Sequence, residues 1–437
     1  MLVFSEHAER HEVTATHTGL DGAEVLFGQR KDGVCVSVRE VGTTWQVWTS
    51  YYVGAGWLRE GEVQVQVRPK MNRDGRVLDH LKMLFACLGN ADVAPHVGEL
   101  YEIDLAAPPV LLPKQDDLLT PMLVAHFLYL VREVVRQGLR KGYNPGAREL
   151  RGRVKGKIEV AKTLRQGIFR GRPLVVACAF EEFSLDIPDN RLLKRALRFA
   201  GRYLQTYPAL EKDLVPLLRY CEPAFAEVSE GEDADLKERP GRNPLYRGYD
   251  EALRVGRLLL RRFGFSLREA GAVSNGEVAV PPHWLDMSSL FEMYLLGLLR
   301  AQFGSRVLYG ADQAKGNYGL PDFLLTGETP WVVDAKYKRA YQWQDYLPED
   351  VRQRSGYARD RGVLGRLGFV GDAQDSAVVQ CLIIYPQRLD GGPELAEIVE
   401  NGLPRENKMS EFAIKQFTKF YKLAVRLPEL PTLQASA

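Results

Sequence analysis

What the 437-residue sequence lacks narrows its class first. Its five cysteines (Cys35, Cys87, Cys178, Cys221 and Cys381) are scattered, with no C-x-x-C spacing. That excludes a zinc ribbon or a disulfide framework and predicts reduced thiols. No apolar run approaches the roughly 20 residues that span a bilayer. The opening MLVFSEHAERHE has neither the basic start nor the apolar run of a signal peptide. A cytoplasmic protein away from the membrane is expected. There is no phosphate-cradling loop either. The nearest candidate, Gly152 to Lys157, is too short and carries no Ser or Thr after its lysine. This chain is therefore expected to bind no nucleotide. A net charge of only +2 means that any nucleic-acid surface must come from local clustering.

What is present is the composition of a soluble globular protein, 45% hydrophobic and 26% charged. The length predicts two or three domains, and the overall class is α+β multidomain. Residues 1–110 form a β-rich N-terminal region, 111–270 a basic and mainly helical middle, and 271–437 a C-terminal α/β domain. In the first region Val34 to Val38, Trp45 to Trp48, Tyr51 to Gly54 and Glu62 to Val67 alternate as strands, and Leu78 to Leu88 is helical. Its aromatic cluster, Trp45, Trp48, Tyr51, Tyr52 and Trp57, reads either as core or as a docking surface, since Trp and Tyr often anchor interfaces. Pro108, Pro109 and Pro113 mark a boundary. Met122 to Leu139, Asn190 to Tyr203 (with Asn190 as N-cap) and Tyr249 to Phe263 read as helices. Glu227 to Glu238 reads as an acidic loop.

Between Arg132 and Arg172 thirteen Lys or Arg face three Glu. At the centre of this run, Arg151, Arg153, Lys155 and Lys157 alternate with glycines and are the candidate DNA-binding residues. Phosphate contact there would make binding strongly salt-dependent. The plainer reading pairs these cations with the acidic residues Glu181, Glu182, Asp186 and Asp189.

The chemistry concentrates between Gly319 and Tyr357. Leu325 and Trp331 to Val333 read as a hairpin around Thr326-Gly327-Glu328. Asp334 and Lys336 lie two residues apart on a strand and so share a face, where Asp322 at the head of the partner strand can meet them. Two carboxylates suit magnesium, which usually keeps several of its waters. The lysine can position an attacking water or steady developing charge. Self-repulsion of such a carboxylate pair predicts that losing Asp334 leaves the metal-free protein about as stable as before. Val378 to Tyr385 reads as a buried strand and Phe412 to Val425 as edge elements.

Pro321-Asp322 followed by Asp334-Ala335-Lys336 resembles the PD-(D/E)XK nuclease superfamily. Glu292, on the helix opened by Asp286, stands where that superfamily often carries an acidic residue. Gln353 and Tyr357 form the Q-x-x-x-Y of its RecB-like branch. With Val67-Arg68-Pro69-Lys70, LRGRVKGKIE and the Glu181 to Asn190 passage, the chain resembles the McrC family, the nuclease component of McrBC modification-dependent restriction. The resemblance implies a magnesium-dependent endonuclease cutting double-stranded, methylated DNA in antiviral defence. Its expected partner is an McrB-like AAA+ GTPase ring, which an N-terminal part of this chain would enter and stimulate. Asp322, Asp334 and Glu292 would then serve the metal, Lys336 the water or phosphate, and Gln353 and Tyr357 the support of the site. A stand-alone RecB-like repair nuclease and a non-catalytic NTPase-activating adaptor are the alternatives.

Overall fold

Period-two alternation makes the first hundred residues strands. They are β1 (Leu2–Ser5), β2 (His11–Thr14), β3 (Glu24–Leu26), β4 (Val34–Val41), β5 (Thr44–Thr49), β6 (Tyr52–Arg59) and β7 (Val63–Arg68). Helix α1 (His80–Gly89) follows, N-capped by Asp79, whose carboxylate accepts from the Lys82 N–H at 3.0 Å. Then come β8 (Tyr101–Ile103) and β9 (Val110–Pro113). The computed structural model describes residues 1–7, 11–14, 19–28, 33–42, 44–72, 77–90, 93–104, 106–113, 117, 119–205, 211–230, 247–269, 277–310, 321–338, 346–387 and 413–429. Much of the acidic Glu227 to Glu238 segment lies outside them.

The middle of the chain carries α2 (Leu119–Gln137), β10 (Gly142–Arg151), β11 (Lys157–Ile158), α3 (Val160–Gln166), β12 (Val175–Ser184), α4 (Pro188–Gln205), α5 (Glu211–Cys221) and α6 (Arg247–Glu269). Asn190 is not the N-cap of α4. It lies inside the first turn, fully buried, and its amide donates to the carbonyls of Arg140 (2.9 Å) and Leu185 (2.7 Å). Pro188, pre-set for a helix start and without an N–H to satisfy, opens the helix two residues earlier.

The last part supplies β13 (Glu277–Val280), β14 (His283–Asp286), α7 (Met287–Phe303), β15 (Val307–Tyr309), β16 (Phe323–Leu325), β17 (Trp331–Ala335), α8 (Pro348–Tyr357), α9 (Arg361–Arg366), α10 (Ala373–Ser376), β18 (Gln380–Gln387) and β19 (Phe420–Arg426). The chain forms two compact units. One is Leu119–Gly276; the other joins Met1–Leu118 to Glu277–Ala437.

In the joined unit, the order β1-β7-β6-β14-β8 shows why the two ends belong together. Strand β14, from the far end of the chain, pairs with β6 on one side and β8 on the other. Gly54 permits this: at φ +151° a Cβ there would lie 2.0 Å from the His283 carbonyl oxygen. A second sheet, β2-β5-β4-β3, shares a core with the first through Phe4, Val36, Trp45, Val47, Val65 and Trp284. The third sheet runs β15-β16-β17-β18-β19, antiparallel up to β17 and parallel beyond it. Strand β17 is central, so its C-terminal end is held from both sides.

Of the N-terminal aromatics, Trp45 belongs to the core and the other four are half-buried. Trp45 is fully buried, Tyr52 stacks on Phe27 at 4.7 Å, Tyr51 on His7 at 4.4 Å, and the Trp57 indole donates to the Pro108 carbonyl at 2.8 Å. None of the five is exposed. Their strands are covered by a second sheet or by neighbouring chain, which sequence alternation alone does not reveal.

Candidate active site

The hairpin register decides the site. Phe323 pairs with Val333 in an antiparallel ladder, so the next position out sets Asp322 opposite Asp334. Directly opposite residues project to the same face of a sheet. The Asp322 carboxylate accepts from the backbone N–H of Ala335 at 2.7 Å, which fixes it beside the Asp334-Ala335-Lys336 run. Gly310 holds the other side, its N–H donating to the Asp322 carbonyl at 2.9 Å. A Cβ on Gly310 would come within 2.3 Å of the Pro321 oxygen, so a larger residue would push the Asp322 turn away. Lys336 places Nζ 2.9 Å from Asp334 Oδ2 and remains partly open to solvent.

Glu292 reaches this group from α7. Burial lifts its carboxyl to about 7 against the bond from the Tyr309 hydroxyl, and the charges of Asp334 and Asp286 add to the rise. Asp322 is pushed well above the carboxylate range, first by burial and then by Asp334 and Glu292. Burial would lower the Lys336 ammonium, but Asp334 and Asp322 together outweigh it and hold the ammonium above its ordinary value. Asp322 and Glu292 are thus each raised by burial and by neighbouring acids, and in their ionised forms they would favour an added positive charge.

Asp334 is not simply one half of a repelling pair, however. Arg354 of α8 donates through Nη2 to Asp334 Oδ2 and through Nη1 to the Asp350 carbonyl, and it is completely buried. Asp350 in turn pairs with Lys338 at 3.1 Å. Neither Arg354 nor Asp350 stands out in the motif, yet a signal exists. Asp350, Val351, Arg354 and Tyr357 are the buried face of α8, spaced at helical intervals. A cation at such a position needs a carboxylate partner.

Gln353 and Tyr357 meet as expected for one helical turn, the amide donating to the phenol oxygen at 3.0 Å. Tyr357 is buried among Leu324, Val332, Val363 and Ile383 and so supports the sheet from beneath; Gln353 is exposed.

The pairing within a third group has no local signal, although Lys70 itself ends the Val67-Arg68-Pro69-Lys70 run. Glu6 and Lys70 come from the ends of β1 and β7, and Tyr337 follows Lys336. The Tyr337 hydroxyl donates to Glu6 Oε1 at 2.8 Å, and the Lys70 N–H to the same oxygen at 3.0 Å. Lys70 Nζ donates to the Tyr337 carbonyl at 2.8 Å and lies 3.9 Å from that ring's centre. All three residues are buried, so the strand end bearing Lys336 is pinned by the N-terminal sheet.

The donor set is all oxygen, as a hard cation requires. Among the described residues, no three His, Cys, Asp or Glu side chains are close enough to enclose an ion. Asp322 and Asp334 would thus offer two carboxylates, with water completing the shell. Magnesium accepts that arrangement, and the residues fit it.

The four basic candidates lie in the other unit. Arg151, Arg153, Lys155 and Lys157 are all exposed. Lys155 pairs with Glu182 at 3.3 Å, and Arg148 approaches the same carboxylate at 3.7 Å.

Among the described residues, no helix is long and apolar enough to cross a membrane. Comparison with solved structures finds the half-complex of Thermococcus gammatolerans McrB AAA+ hexamers with bound McrC. It is 15% identical with a TM-score of 0.37, covering 89% of this chain and 80% of that one. The cryo-EM structure of the Thermococcus gammatolerans McrBC complex is 17% identical with a TM-score of 0.30, covering 68% and 86%. No curated protein matches the chain by sequence. The family model described as McrBC 5-methylcytosine restriction system component matches residues 48–358, most of the chain, and the chain belongs to that family.

Proposed function

We propose that this chain is the McrC-like nuclease subunit of a modification-dependent restriction complex. In this reading its PD-(D/E)XK-type site cuts double-stranded DNA in a magnesium-dependent reaction, and an McrB-like AAA+ GTPase ring works with it. One observation carries the reading: Asp322, Asp334 and Lys336 share one face at the end of the central strand pair, with Glu292 beside them. Magnesium, when bound, polarises a phosphoryl oxygen and acidifies a water. Asp322 and Asp334 would hold it. Lys336, partly open to solvent, is placed to orient the attacking water or to stabilise charge on the phosphate. Glu292 supplies further negative charge, and Tyr357 keeps α8 against the sheet.

A partner surface is better supported in the middle unit than in the N-terminal sheets. Tyr143 (71% exposed), Phe169 (77%) and Phe183 (59%) are open to solvent, and α3 with the turn after it buries no side chain. Tyr143 and Phe183 lie side by side, their rings 5.2 Å apart. Monomeric proteins rarely leave such apolar groups together in water, and Trp, Tyr and Phe are common anchors at interfaces.

The test mixes the purified chain and magnesium with methylated and unmethylated plasmid, with and without the partner ring and GTP. Cleavage of methylated plasmid only in the complete mixture is expected. Efficient cutting of both plasmids by the chain alone would instead establish a stand-alone nuclease. Tyr143→Ser with Phe183→Ser should abolish ring stimulation and leave the fold intact.

A further inference from the structure

We infer that Arg354 is the resident cation of the Asp334 carboxylate, and that it must leave Asp334 before a divalent ion is held there. The inference rests on the reading of Asp334 as a metal ligand and concerns how that site is regulated.

Asp334 Oδ2 accepts from two cations at once, Lys336 and Arg354. One suffices to neutralise a carboxylate. Meanwhile, among the described residues, neither of the neighbouring acids has such a cation: Asp322 accepts from the Ala335 N–H and Glu292 from the Tyr309 hydroxyl. Positive charge is therefore concentrated on one of the three acids, whereas a divalent ion would be shared. Lysine can give up its proton when crowded, but a guanidinium cannot. An ion at Asp334 would consequently face a permanent positive charge on the same oxygen.

The guanidinium is also poorly satisfied where it lies. A buried arginine usually spends its fork in two parallel bonds to one carboxylate. Arg354 instead gives one nitrogen to Asp334 and one to a carbonyl of its own helix, and its Nε is buried with no hydrogen-bond partner among the described residues. Buried donors left unpaired are costly. An alternative position that satisfies Nε would lower that cost, so this contact is suited to being broken.

Leaving Asp334 requires movement of the helix. Arg354 is 0% exposed and lies on the face of α8 that Val351 and Tyr357 press into the core. The same helix carries Asp350, which is tied to Lys338 just beyond Lys336. Freeing Arg354 thus shifts α8 relative to the end of β17. Divalent-ion affinity is in this way set by the position of one helix.

Manganese is the probe, used on the full chain without DNA or nucleotide. Titration followed by calorimetry and by electron paramagnetic resonance gives the dissociation constant. Arg354→Gln and Arg354→Met should each bind manganese at least tenfold more tightly than the unsubstituted chain. Unchanged or weaker binding by both would overturn the inference. Asp334→Asn should abolish binding in either background. Retained binding in Asp334→Asn would remove the metal reading itself, and the inference with it. Hydrogen exchange on the unsubstituted chain needs no variant to fold. Manganese should speed exchange of amides in Pro348–Tyr357, and protection of that helix would refute its release.

Discussion

Asp334→Asn and Asp322→Asn should have opposite effects on the metal-free protein, although the two carboxylates face each other across one hairpin. Asp334 accepts from a fully buried guanidinium and from Lys336. Removing one member of a buried pair leaves the other charge stranded, at a cost of about 3–5 kcal/mol. For a unit of this size each kcal/mol lowers Tm by roughly 2–4 °C, so a fall of roughly 6–20 °C is expected. Asp322 has the reverse environment. Burial and two neighbouring acids hold its carboxyl well above its ordinary value of 3.8. A folded-state value above the unfolded one means that the native chain binds more protons in the window between them, so stability falls as pH rises through it. Asparagine resembles the neutral form and can still accept from the Ala335 N–H. Asp322→Asn should therefore leave Tm unchanged near pH 4 and raise it increasingly toward neutral pH. The assay is a thermal or urea scan of each variant in EDTA from pH 4 to pH 8. Equal destabilisation by the two substitutions would refute this assignment of partners, and so would a larger loss at Asp322.

Three more outcomes follow from the same geometry. Glu292 is lifted from 4.5 to about 7, so between those pH values the folded chain holds a proton that the unfolded chain has released. Stability in EDTA should fall across that window by up to roughly 3 kcal/mol, and magnesium should recover it; a flat profile would contradict the burial of this group. Neutralising Arg151, Arg153 and Lys157 should flatten the salt dependence of duplex binding by about 2.7 in slope. Adding Lys155→Ala should give less than a full further 0.9 or so, because Glu182 already engages it. Deleting residues up to Val67 should abolish folding of the joined unit, because β14 would lose β6 and Tyr337 would lose Glu6; a soluble, cooperatively unfolding fragment would show otherwise.

The sequence revealed elements better than it revealed their assignment to units. Strands β4 to β7 and β16 to β18, and helices α2, α4 and α6, lie where alternation or helical spacing put them. Periodicity is a local signal, set by which face of a segment is buried. The insertion of β14 into a sheet formed more than two hundred residues earlier has no local signal. Neither does the return of the chain as β13 against β9, which turns the proline-rich boundary at Pro108 to Pro113 into half of a strand pair. The aromatic cluster is the same case. Alternation shows that Trp45 and Val47 share a face, but only the second sheet decides that the face is interior.

At the site, legibility followed chemical type. Asp322, Asp334 and Lys336 could be found because strand pairing converts their spacing into a shared face, with no knowledge of the rest of the molecule. Arg354 was hidden because the Q-x-x-x-Y spacing drew attention to its neighbours, while the residue between them occupies the buried face. Lys70 and Glu6 were hidden more deeply, since their partner Tyr337 is separated from Glu6 by 331 positions. Both omissions are buried charges, and a buried charge persists only where a partner meets it. For Arg354 the partner is the carboxylate proposed to hold the metal; for Lys70 and Glu6 it is the residue next to the proposed catalytic lysine. The cations and acids that the motif leaves out are thus the ones that fix its geometry. The N-terminal sheet is accordingly part of the site's framework and not an appendage to it, which is why truncation and point substitution there test the same structure.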